Sequence, residues 1–151
     1  MMGLTGWLAT WFGCGLSPKA PGTMGSLAAL PFAYGMVWAW GMPGLLIAIV
    51  IIIPLGIWAC ERYAQSSGDP DPGSAVIDEV AGQWIALVPA GLDPILFAVA
   101  FVSFRLFDIW KPGPIGVADR ELKGGLGIMV DDLLAGLPAA AIVWAAGRWL
   151  I

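Results

Sequence analysis

Apolar residues run through this chain in long blocks, with the polar residues gathered in the gaps. From Ala20 to Cys60 there is no Asp, Glu, Lys or Arg, a stretch long enough for two bilayer crossings joined by a turn. The pattern predicts apolar helices near 27–40, 45–60, 80–90, 95–107 and 133–150. Turn signals at Gly41-Met42-Pro43-Gly44 and Gly91-Leu92-Asp93-Pro94 divide the first four into pairs. The β-branched run Ile49 to Ile53 has strand character, but the length and setting of its block favour a buried helix. The expected fold is therefore all-α: a multihelical integral membrane protein of two helical hairpins plus a C-terminal helix. Residues 1–13 are expected to form an interfacial segment with Trp7 and Trp11 on one helical face. One domain covering 1–151 accounts for the whole length. A 14-residue helix such as 27–40 spans only about 21 Å of a roughly 30 Å hydrocarbon core. The 80–107 hairpin is shorter still in its first arm, so it either enters the bilayer part way or extends into its polar flanks.

If each hairpin crosses and returns, the polar stretches 14–26, 61–79 and 105–132 lie on one side. Six of the seven basic residues (Lys19, Arg62, Arg105, Lys111, Arg120, Lys123) share that side, and Arg148 lies opposite. The bias of positive charge toward the cytoplasm assigns that side.

Composition sharpens the membrane reading. Hydrophobic residues make up 59% of the chain, nine of them tryptophans, and the mean hydropathy is +0.83. That content does not fit an ordinary soluble surface. A net charge of −4 with no basic stripe argues against nucleic acid as a partner. The chain has no histidine, which excludes serine–histidine hydrolases and histidine-dependent phosphatases. Cys14 and Cys60 lack ligand spacing, and neither is followed by an arginine at the distance a cysteine phosphatase requires. They read as small apolar residues. Any chemistry must come from carboxylates, Lys or Arg, hydroxyls and a metal.

Two acidic pairs, Asp78-Glu79 and Asp131-Asp132, each enter an apolar segment. Adjacent carboxylates repel one another and resist dehydration, and a cation between the pairs relieves both costs. The plain alternative is helix N-terminal charge, solvated and favourable to the macrodipole. Two pairs on one predicted side favour a metal site, and all-oxygen ligation suits Mg²⁺ or Mn²⁺. The surrounding sequences also resemble each other, and each pair is followed by Ala-Gly: Ala81-Gly82 and Ala135-Gly136. Two helices crossing at those glycines would bring the acids to one ion.

Arg105, Asp108 and Lys111 lie at successive i,i+3 positions of a helix. They are either a salt-bridged helix end or a phosphate site, with Asp108 as orienter, ligand or base. The loop Ser17-Pro18-Lys19-Ala20-Pro21-Gly22-Thr23-Met24-Gly25-Ser26 precedes an apolar helix. Its free amides, Lys19, and the hydroxyls of Thr23 and Ser26 form either an ordinary capped start or an anion site. Asp69 and Asp71 alternate with prolines in a loop and receive no catalytic role.

Together, Ser17-Pro18-Lys19-Ala20-Pro21-Gly22-Thr23-x-Gly25-Ser26, Ile77-Asp78-Glu79-Val80-Ala81-Gly82, Phe104-Arg105-Leu106-Phe107-Asp108-x-x-Lys111-Pro112 and Met129-x-Asp131-Asp132-x-x-Ala135-Gly136 resemble the phosphatidylglycerophosphatase A family. The blocks keep the family's order over almost the whole chain, and Pro114 completes a Lys-Pro-x-Pro pattern. The resemblance implies a bacterial inner-membrane, Mg²⁺-dependent lipid phosphatase. Its substrate would be phosphatidylglycerophosphate in the membrane, hydrolysed to phosphatidylglycerol and phosphate with the site facing the cytoplasm. Chemical reading of the blocks assigns Glu79, Asp131 and Asp132 to the metal. Asp108 and Asp78 are the catalytic candidates, with Asp78 also a ligand or support. Lys19, Thr23, Ser26, Arg105 and Lys111 fall to the substrate phosphate. Direct attack by water and a covalent aspartyl-phosphate both remain open. The competing readings are a metal-dependent phosphatase acting on another lipid or soluble phosphate, and a non-enzymatic membrane subunit with an ion-binding acidic cluster.

Overall fold

The computed structural model describes residues 3–16, 21–68, 74–110, 113 and 124–150. Among them are five α-helices and no strand: α1 (Leu4–Ala9), α2 (Pro21–Ser67), α3 (Ile77–Leu87), α4 (Pro94–Trp110) and α5 (Gly124–Leu150). Short 3-10 turns lie at Cys14–Leu16 and Val88–Ala90. The run Ile49 to Ile53 is helical, inside α2.

The two predicted segments 27–40 and 45–60 both fall within α2, which breaks at Gly41. There φ is 71° and ψ −168°, a backbone state that a side chain resists and glycine accepts. Past the break the chain returns on itself. A Cβ placed on Gly44 would lie 3.3 Å from the carbonyl oxygen of Met36, whereas eight residues of straight helix span about 12 Å. Both halves of α2 then reach one segment, Gly25 against Val76 and Gly56 against Ile77.

The second turn follows from its own residues. Gly91 takes a φ of 62°. Asp93 then accepts the amides of Ile95 and Leu96 on Oδ1 at 2.8 and 3.3 Å. Asp93 thus caps α4, and Pro94 opens it where no amide is needed.

Helix boundaries differ from the sequence expectation: α2 opens at Pro21 and runs on to Ser67, beyond the predicted 27 and 60. α5 begins at Gly124, nine residues before the predicted 133. Its start is held by Glu61, whose Oε2 accepts the amide of Gly125 at 2.6 Å. The acids at 131 and 132 therefore lie inside a helix rather than opening one. A further correction concerns the N-terminal segment: α1 stops at Ala9, so Trp7 and Trp11 do not share a helical face. Thr10 turns its hydroxyl back onto the carbonyl of Gly6 at 2.8 Å, and Trp11 and Phe12 adopt positive φ. Trp7 stays half exposed, while Trp11 is buried edge-on against Phe32 and Trp84.

Among the described residues two helices, α2 over Gly22–Ser66 and α5 over Gly125–Trp149, are long and apolar enough to cross a membrane. Their outward faces carry large apolar side chains, including Trp38, Val50, Leu137 and Trp144. The interior mixes large side chains such as Leu45, Phe104 and Met129 with small ones, among them Ala29, Ala81, Ala100, Ala135 and Ala139, all fully buried. The small buried residues let the helices approach one another closely.

Candidate metal and phosphate site

The acids converge because two helices cross on glycines. Asp78 and Glu79 occupy the first turn of α3, and Asp131 and Asp132 lie about two turns into α5. A Cβ on Gly136 would stand 2.6 Å from the carbonyl oxygen of Gly82. One on Gly82 would stand 2.5 Å from that of Asp132. No larger residue fits this crossing without driving the helices apart.

Carboxylate oxygens of Asp78, Asp131 and Asp132 lie within 4.8 Å of one another. A second set within the same distance joins Glu79, Asp108 and Asp132, with Asp108 delivered by α4. Asp132 belongs to both. The set predicted for one ion, Glu79 with Asp131 and Asp132, is thus divided between two groups that share Asp132.

Burial makes this cluster costly without a cation. Asp132 is 1% exposed, and Asp78, Asp108 and Asp131 are each below 9%. Asp78 Oδ1, Glu79 Oε2 and Asp132 Oδ2 are buried and accept no hydrogen bond. Burial first, then the charge of Glu79, holds the Asp78 carboxyl well above the usual carboxylate range. Glu79 is pushed up to about 7, chiefly by burial. Orphaned buried carboxylate oxygens at this density fit a hard divalent ion such as Mg²⁺.

A cationic face adjoins the acids. Arg105 pairs with Asp108 through Nη1, while its buried Nε has no hydrogen-bond partner. The start of α2 closes on the same place. A Cβ on Gly22 would lie 2.9 Å from Glu79 Oε1 and 3.1 and 3.3 Å from the Arg105 guanidinium nitrogens. Helix-start amides, a guanidinium donor and a carboxylate cluster thereby meet at one point.

Of the other predicted phosphate ligands, Thr23 is half-buried in the first turn of α2. Ser26, one turn after Gly22, is fully buried with its hydroxyl unpartnered. Lys19 and Lys111 lie outside the described residues, as do Asp69 and Asp71. Sequence reasoning passed over two neighbours of the cluster. Gln83, one turn after Glu79 on α3, is fully buried, and both polar atoms of its carboxamide lack partners. The signal was a lone amide four residues after an acid in an apolar helix. Cys60 is buried at the polar end of α2, close enough to Asp78 to contribute to its raised carboxyl. It is a neighbour of the site, not a remote filler.

The sequence model of the family described as Phosphatidylglycerophosphatase A matches residues 7–147. The chain belongs to that family. It is 45% identical over 144 residues to Phosphatidylglycerophosphatase A of Escherichia coli K12, covering 93% of this chain and 82% of the relative. The Haemophilus influenzae protein of the same name is 39% identical over 146 residues, with 95% and 89% covered. A Bacteroides thetaiotaomicron protein, also 39% identical, over 159 residues with 95% and 93% covered, has a name that proposes phosphatidylinositol-3-phosphatase activity. No solved structure matches the chain. Membership makes this chain a phosphatase, and the matched region contains all five clustered carboxylates and Arg105.

Proposed function

We propose that the protein hydrolyses phosphatidylglycerophosphate to phosphatidylglycerol and inorganic phosphate in a bacterial inner membrane, with Mg²⁺ as cofactor and the site facing the cytoplasm. The observation that carries this reading is the junction at Gly22, where the start of α2 meets Glu79 and Arg105 beside the buried carboxylates. The relatives' names supply the headgroup.

In this reading α2 folds back at Gly41 as one hairpin, α3 and α4 form a second, and α5 crosses alone. The position of Arg148 supports it: seventeen residues beyond Asp131 on α5, it stands about 26 Å away along the helix. That is close to the thickness of a hydrocarbon core. Acids and Arg148 then face opposite interfaces, with Arg148 lying over the ring of Trp144.

The chain's own residues divide the work. Arg105, through Nε, and the opening amides of α2 bind the outer phosphate oxygens and orient the phosphorus. Thr23 and Ser26 complete that cradle, and the family motifs that contain Lys19 and Lys111 propose those two lysines as further phosphate ligands. The carboxylates of Asp78, Glu79, Asp108, Asp131 and Asp132 hold Mg²⁺, which when bound offsets charge developing on the phosphate. An oxygen of Asp108 or Asp78 not taken up by the metal would accept the proton of the attacking water. The acyl chains remain in the bilayer, so only the headgroup has to reach the site.

The test is phosphate release by the detergent-purified chain, with Mg²⁺ or with EDTA. Phosphatidylglycerophosphate, phosphatidic acid and phosphatidylinositol-3-phosphate are offered side by side. Metal-dependent release from the first alone is expected. Faster release from phosphatidylinositol-3-phosphate would move the substrate to the one named for the Bacteroides relative. No release from any, by folded protein, would overturn the enzyme reading.

A further inference from the structure

The five clustered carboxylates are more than one ion requires. Asp78, Asp131 and Asp132 form one compact set and Glu79, Asp108 and Asp132 another, and only Asp132 is common to both. The sets come from different directions: the first from α3 and α5, the second from α3, α4 and α5. We infer that this is a two-cation centre, with Asp132 bridging an ion held by Asp78 and Asp131 and a second held by Glu79 and Asp108.

Three observations carry the inference. The first is charge. As metal ligands all five carboxylates would be ionised against one guanidinium, that of Arg105, leaving four negative charges among the described residues of the site. Two divalent ions offset that charge and one does not, in a place too buried for water to screen the remainder. The second is the orphaned oxygens. Asp78 Oδ1 falls in the first set, Glu79 Oε2 in the second, and Asp132 Oδ2 in the shared residue. A single ion seated in either set would leave a buried carboxylate oxygen of the other unsatisfied. The third is the position of the anion face. Arg105 holds Asp108 and, with Gly22, adjoins Glu79. The second set therefore lies on the phosphate side of the cluster, and the first lies toward the α3–α5 crossing.

The consequence is a division of labour. The Asp78–Asp131 ion ties α3 to α5 and completes the fold at the crossing. The Glu79–Asp108 ion faces the substrate phosphate, and Asp108 acts as its ligand while also orienting Arg105. Paired divalent ions roughly 3.5–4 Å apart suit in-line displacement at phosphorus, because attacking and leaving oxygens can each be stabilised. Both ions have hard oxygen ligands only, in keeping with Mg²⁺ or Mn²⁺.

The inference rests on the metal-dependent reading above, and a binding measurement separates the two. The full chain in detergent is titrated with Mn²⁺, following free ion and spin coupling by electron paramagnetic resonance. Two ions per chain with a coupled signal are expected. Asp108→Asn and, separately, Glu79→Gln should each reduce binding to one uncoupled ion, and Asp131→Asn should do the same from the other side. Asp132→Asn should abolish coupling. One ion per chain in the unaltered protein would overturn the two-cation centre while leaving the metal reading standing. No bound ion would overturn both. Two ions that persist in Asp108→Asn and in Glu79→Gln would show the second ion to lie elsewhere, which also overturns the proposal. The unaltered chain decides the count by itself, so a variant that fails to fold does not obscure the result.

Discussion

The two acidic pairs resemble each other in sequence and differ in setting. Asp78-Glu79 opens a helix of 11 residues, where helix-start amides favour negative charge. Asp131-Asp132 lies inside a helix of 27 residues, past the reach of that favourable end, and Asp132 is the most buried acid of the cluster. The first pair has a local reason to exist; the second has none. A pair of buried carboxylates in mid-helix is sustained by something that binds it. The comparison shows that two similar motifs serve one site through packing at Gly82 and Gly136, not through equivalent positions in their helices.

The sharpest way to break the comparison is at the residue shared by both sets. Asp132→Asn should lower kcat by on the order of a thousandfold, with helicity retained by circular dichroism. A loss under tenfold would show that the shared position is not central. Next is the crossing itself. Gly136→Val should destabilise the protein by about 1–3 kcal/mol in thermal unfolding and weaken Mn²⁺ binding, because the added carbons meet the Gly82 carbonyl. Unchanged binding would separate the site from the crossing.

Arg105→Lys keeps the charge but loses the Nε donor and the planar fork. It should cost roughly 1.5–3 kcal/mol of transition-state binding, a ten- to hundredfold fall in kcat/KM. Normal kinetics would remove Arg105 from the phosphate. A pH series then distinguishes cation-held acids from merely solvated ones. Burial pushes the Glu79 carboxyl up to about 7, so the ion must displace its proton below that pH and need not above it. Mn²⁺ affinity should rise about tenfold from pH 6 to pH 8. The same upward shift makes the metal-free protein lose stability as pH rises from 4.5 to about 7, because over that range the folded state holds the proton that the unfolded chain has released. A flat affinity profile would contradict the burial of the first pair. The smallest effect is expected at Cys14→Ser, which should leave turnover within about twofold, in line with minor changes away from a site.

Much of this was legible in the sequence because its signals were local. Adjacent acids, the Ala-Gly after each pair and the spacing of Arg105 and Asp108 are all visible within a few residues. The Gly91 to Pro94 turn was legible for the same reason, since capping chemistry acts over a single turn. What was not legible depended on distant partners. Gly124 starts α5 because Glu61, far back on α2, accepts its neighbour's amide; hydropathy placed the start at the acids instead. Asp108 joins Glu79 and Asp132 only through the packing of α4. Trp11 is buried because Thr10 ends α1 and sends the chain toward Trp84, a change of direction that helical periodicity does not register.

The central claim is that both pairs hold one metal-dependent phosphatase site, and one comparison tests it most directly. Mg²⁺-dependent phosphate release from phosphatidylglycerophosphate would be measured for the unaltered chain, Asp78→Asn and Asp131→Asn, at matched folding. The account predicts metal-dependent release by the unaltered chain and a severe loss in both variants, partly restored by raised Mg²⁺. Near-normal turnover in either variant, with its Mg²⁺ dependence unchanged, would contradict it.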